Sequence, residues 1–117
     1  MAEDTLTILL ANFQEFYDLA QDAFVKKKYN GAVTLFYKAL VELCDYALFT
    51  SQGKLGANHR DRFELLQRHH PALYEVASKL FRFYQDSYSK RISPTIAEVI
   101  KEHVERAQQL VLATKKR

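Results

Sequence analysis

In residues 16–39, FYDLAQDAFVKKKYNGAVTLFYKA, two apolar stripes meet across a short lysine-rich break. Upstream of the break, Leu6, Leu9, Leu10, Phe13, Phe16, Tyr17, Ala20 and Phe24 recur at steps of three and four. They fall on one side of a helix predicted from about residue 5 to residue 27. Downstream, after a turn around Lys28 to Asn30, a second helix carries Ala32, Val33, Phe36, Tyr37, Leu40, Leu43, Cys44, Ala47 and Leu48 on one face. Two long helices joined by so few residues must lie antiparallel.

The second helix stops before SQGKLGAN, residues 51–58, whose two glycines and small polar residues mark the main loop. Asn58 can cap a third, shorter helix with Phe63 and Leu66 inward, and Pro71 either breaks it or opens the next helix at its first position. The fourth helix places Leu73, Val76, Leu80 and Phe83/Tyr84 on one face. Ser93 followed by Pro94 is a cap-and-proline start signal for a last helix. There Ile96, Val99, Ile100, His103, Val104, Ala107, Leu110 and Val111 point inside, and Glu102 with Arg106 supports the outer face. The expected fold is all-α: an antiparallel up-down bundle of four long helices with one short additional helix. Residues 1–117 form one domain, with 113–117 a basic, frayed tail.

Composition agrees. Of 117 residues, 48% are hydrophobic and 26% charged, enough to bury a core, and three glycines and two prolines leave helices largely unbroken. The one cysteine, Cys44, excludes an intrachain disulfide and reads as an inert core thiol. No Cys/His spacing suits zinc, and no cofactor is implied. The start, with Glu3 and Asp4, lacks the positive charge of a signal peptide, and no run of apolar residues suits a membrane span. A cytoplasmic protein with no membrane contact is expected. The net charge is +3, with basic residues in clumps at Lys26–Lys28, at Arg60, Arg62 and Arg68, at Lys90–Arg91 and at Lys115–Arg117. Such clumps suit a polyanion partner or simply a solvated surface.

Two resemblances follow from these residues. Phe16, Leu19, Ala20, Ala23, Tyr29, Ala32, Phe36 and Ala39 follow the spacing of a single tetratricopeptide repeat, the mark of a helical protein-interaction module. A second repeat 34 residues on would fall on Thr50, Gly53, Leu66 and His70, which do not fit. One repeat cannot bury its own face, so the stretch reads as a helix pair sharing the repeat's packing rule. Tyr29-Asn30-Gly31-Ala32-Val33 running into Phe36 to Leu40, then Asn58-His59 with Leu65-Leu66, then Leu80, Tyr84, Tyr88 and Arg91 set an order of elements over roughly residues 10–112. That order resembles the HEPN domains. The resemblance implies a helical bundle associated with RNA or nucleotide, commonly a homodimer. Members act as metal-independent endoribonucleases of the toxin type in toxin-antitoxin pairs, or bind a partner nucleotidyltransferase.

Catalytic members resemble one another in an arginine and a following histidine separated by four to six residues. Arg62 and His69 meet that spacing formally, although Phe63 stands where a polar residue is usual. Metal-free cleavage of RNA needs groups to move protons at the 2′-hydroxyl and the leaving oxygen and a cation for the phosphate, chemistry that histidine and arginine supply. The alternative puts Arg62 on a solvated basic face and His69 and His70 at a helix C-terminus, where imidazoles meet the dipole favourably. His59, His70, Tyr84, Tyr88, Lys90 and Arg91 are the candidate ligand-binding residues, because aromatic rings beside cations stack bases and neutralise phosphates. His103 sits in the apolar register of the last helix and reads as a packed, hydrogen-bonded histidine.

Overall fold

The computed structural model describes residues 2–115. They form five helices and no strand: α1 (Ala2–Val25), α2 (Tyr29–Gln52), α3 (His59–His69), α4 (Pro71–Asp86) and α5 (Pro94–Lys115). The expected bundle of four long helices and one short one is what the chain adopts. Contacts fix the directions. Tyr17 of α1 donates to Glu105 of α5, Tyr37 of α2 donates to the Ala77 carbonyl of α4, and Asn30 at the start of α2 holds the α4–α5 turn. So α2 and α5 run one way and α1 and α4 the other. Helix α2 packs against each of the remaining four, and its Ala32, Val33, Phe36, Leu40, Leu43 and Leu48 are fully buried.

The ends of the helices follow local chemistry. Asn58 accepts a hydrogen bond from the Asp61 amide at 2.8 Å, and Asp61 reaches back to the Ala57 amide, closing a reciprocal cap on α3. Pro71 occupies the first turn of α4, and Ser93 accepts from the Ile96 amide ahead of α5. Helix α2 ends on Gly53 at φ 73°, with its amide on the Phe49 carbonyl, the left-handed stop that glycine adopts without strain. Helix α1 ends at Val25, short of the predicted end near residue 27, because Lys27 takes φ 63°. The Lys27 and Lys28 amides turn back onto the Phe24 and Ala23 carbonyls and close the helix.

Helix α5 continues to Lys115, so the expected frayed tail begins inside a helix, and residues 116–117 lie outside those described. Leu110, placed inside by its register, is 42% exposed instead. Among the described residues no helix is long and apolar enough to cross a membrane.

Candidate functional site

The last turn of α4 and the segment after it carry the expected tyrosines. Tyr84 stacks on the buried Tyr37 of α2 with ring centroids 4.6 Å apart and planes 20° from parallel. Tyr88 stands edge-on to Tyr84 at 5.4 Å, their hydroxyls 3.0 Å apart, and is 67% exposed. That hydrogen bond raises the Tyr88 hydroxyl above its ordinary range. The Lys38 ammonium lies 5.9 Å from the Tyr84 ring centre. A ring fixed on one edge with a face toward water, beside a cation, can take a planar aromatic ligand.

The turn itself is held from α2. Asn30 donates to the Ser87 and Lys90 carbonyls at 2.9 and 2.5 Å and accepts from the Ile92 amide at 2.9 Å. All three groups belong to an irregular segment that would otherwise leave them unpaired within the fold. Thr34 adds a contact to the Ser87 hydroxyl at 2.9 Å. Lys90 sits here, exposed, 3.5 Å from Asp86, and Arg91 is exposed beside it.

His59 opens α3 and projects into the same aromatic group, 5.0 Å from Phe81, 5.8 Å from Tyr84, 6.2 Å from Tyr37 and 6.5 Å from Phe63. Burial, with Arg62 and Lys38 adding to it, pulls its pKa below the ordinary histidine value. Its Nδ1 is buried without a hydrogen-bond partner among the described residues. A hollow of about 350 Å³ opens between His59, Lys38, Glu42, Arg62 and Tyr84. Burial pushes the Glu42 carboxyl up, against a hydrogen bond from Asn12 that favours the charged form.

Arg62 is not on a solvated basic face. It is 8% exposed and turned into α2, where its Nε and Nη2 donate to the two carboxylate oxygens of buried Asp45 at 2.9 and 3.2 Å. Asp45 also accepts from the Gly56 amide at 3.2 Å, and Arg62 donates to the Gly56 carbonyl at 3.3 Å, so the pair ties the 53–58 loop to the bundle. The guanidinium therefore has its fork already occupied by a carboxylate. His69 lines a different hollow, at the end of the bundle where α2 finishes and α4 begins. Its neighbour His70 is 2.8 Å from the Ser51 hydroxyl, and burial lowers its pKa. The structure thus gathers His59, Tyr84 and Tyr88 with Lys90 and Arg91 following, and sets Arg62 and His69 on separate cavities.

The remaining chemical groups are internal. Cys44 is fully buried, and burial pushes its thiol up to about 12. His103 is half-buried with Nδ1 2.8 Å from the Val99 carbonyl. Among the described residues no three His, Cys, Asp or Glu side chains converge as metal ligands. Sequence reasoning missed Lys38 and Asn30. Lys38 interrupts an otherwise apolar aromatic run, LFYKAL, which is a visible signal, whereas nothing near Asn30 in sequence reveals partners in the α4–α5 turn. No protein-family model, curated protein or solved structure matches this chain.

Proposed function

We propose that this chain is a HEPN-like helical bundle that binds RNA or nucleotide without cutting it, at the surface formed by Tyr88, Tyr84, Lys38 and His59. The observation that carries the reading is Tyr88: a large aromatic side chain, mostly exposed, braced by a hydroxyl–hydroxyl bond and an edge contact to Tyr84. Holding a ring toward water removes rotamer freedom before a base arrives, so stacking costs less entropy. Lys38 stands beside the Tyr84 ring, exposed Lys90 and Arg91 follow Tyr88 in the same segment, and the +3 net charge favours a polyanion. Strand cleavage through Arg62 and His69 is less favoured, because the arginine is committed to Asp45 and the two side chains line different hollows. A nucleotidyltransferase partner and pairing into a homodimer belong to the same reading and rest on the family resemblance alone.

The test is fluorescence anisotropy of a labelled single-stranded oligoribonucleotide titrated with the protein in chelator. Binding is expected at low salt and falls steeply between about 50 and about 200 mM. Tyr88→Ala is expected to weaken it by roughly 1–3 kcal/mol, the worth of one stacked base. No binding at low salt, or equal affinity of Tyr88→Ala and the parent chain, overturns the proposal. The same samples run on a denaturing gel read out cleavage: intact RNA is expected, and a product lost in a folded His69→Ala variant would establish the nuclease instead.

A further inference from the structure

The hollow at the far end of the bundle has a chemistry unlike that of the aromatic surface. It is a cavity of about 680 Å³ between the last turn of α2, the α3–α4 junction and the end of α5. That volume lies within the range of small-molecule sites. Its walls include Ala47, Leu73 and Val111, with Leu110 on α5 exposed to the extent of 42%. No carboxylate, ammonium or guanidinium is among the side chains that line it. Tyr46, Thr50, Ser51, His69 and His70 supply its polar lining, and among them the Ser51 hydroxyl donates to the Ala47 carbonyl at 2.9 Å and lies 2.8 Å from His70 Nε2. With the serine proton given to Ala47, the imidazole N–H is the donor between the two, and Ser51 Oγ keeps accepting capacity for one more donor.

We infer that this cavity is a second binding site, for a small, neutral, mainly apolar molecule that carries a single hydrogen-bond donor, such as an alcohol, with its hydroxyl on Ser51 and its hydrocarbon against Leu73, Leu110 and Val111. Charge decides the class. A bound ammonium would lose its water without gaining a counter-ion, and a bound carboxylate would meet only the imidazoles of His69 and His70, the second held toward its neutral form by burial, a cost that a hydroxyl does not meet. A nucleotide is excluded on the same ground, so the site is independent of the RNA surface around Tyr88.

The experiment compares 1-hexanol, hexanoate and hexylammonium, three probes of one chain length and three charges, by protein-observed NMR titration. Saturable shifts are expected for 1-hexanol at Ala47, Ser51, Leu73 and Val111, with affinity higher by on the order of ten-fold or more than for either ion. Ala47→Phe, which fills the cavity, is expected to abolish them, while Tyr88→Ala leaves them unchanged. Should Ala47→Phe not fold, Ser51→Ala is expected to narrow the preference of the site for 1-hexanol over an alkane of equal length. Absence of saturation, equal binding of the three probes, or shifts centred elsewhere overturns the inference. So does a concentration-dependent dimer that covers Leu110 and loses no order on adding 1-hexanol, which would make a second copy the occupant.

Discussion

Arg62 shows how one residue changes meaning between sequence and structure. In sequence it is a cation near a histidine, equally at home in a phosphate site or on a wet helix face. In the fold it is buried with its Nε and Nη2 on Asp45. The partner was the illegible part: Asp45 lies in LCDYAL, on a helix face otherwise given to packing, and a buried carboxylate there has no local explanation. Gly56 completes the arrangement, since a Cβ at that position would stand 2.7 Å from the Arg62 Cβ. Removing one member of a buried pair strands the other without solvent. Arg62→Ala is therefore expected to lower stability by about 3–5 kcal/mol in urea denaturation. The double replacement Arg62→Met with Asp45→Leu is expected to recover most of that, because it removes both charges and keeps volume. A single variant within about 0.5 kcal/mol of the parent, the range of ordinary surface substitutions, would show that the pair does not anchor the loop.

At the scale of elements, every helix was readable in type and order, and the starts of α3, α4 and α5 were readable almost to the residue. Asn58, Pro71 and Ser93 act on the backbone within a few positions of themselves, so their signals are local. Boundaries that depend on left-handed backbone at a non-glycine residue, such as Lys27, leave no such mark, and apolar periodicity overran the end of α1. Asn30 is the stronger case. Its place in sequence predicts only a turn, and its side-chain amide clamps a segment some sixty positions away, the one that presents Tyr88. Asn30→Ala is expected to cost about 1–3 kcal/mol in urea denaturation, since it leaves part-buried backbone groups without their partner. It is also expected to weaken binding of the labelled oligoribonucleotide although Asn30 touches no ligand. Unchanged affinity beside the lower stability would show that the turn does not position Tyr88.

For the molecule as a whole, acid is expected to destabilise the fold in the range where histidines titrate. His59 and His70 both have folded-state pKa values below the ordinary one, mainly through burial. Between the folded value and the unfolded value of about 6.5 the unfolded chain holds more protons, so stability is full above about pH 6.5 and falls as pH drops through that interval. Glu105, lowered chiefly by the hydrogen bond from Tyr17, adds a further loss at more acid pH, while Glu42, raised by burial, acts in the opposite direction there. Urea midpoints measured from about pH 7.5 to about pH 5 are expected to decline, and His59→Phe is expected to flatten the decline while keeping the aromatic group packed. A midpoint that rises on acidification would contradict the assignment. The central place of α2 bears also on the order in which the chain is made. Of the five helices, α1 and α2 leave the ribosome before the others, as a hairpin whose contacts are close in sequence and quick to form. That hairpin emerges with the other flank of α2 bare, and stays so until α4 and α5 are synthesised. During that interval the flank of α2 that α4 and α5 cover in the finished fold is open to other chains, and the speed with which residues 71–115 follow sets how long it stays so.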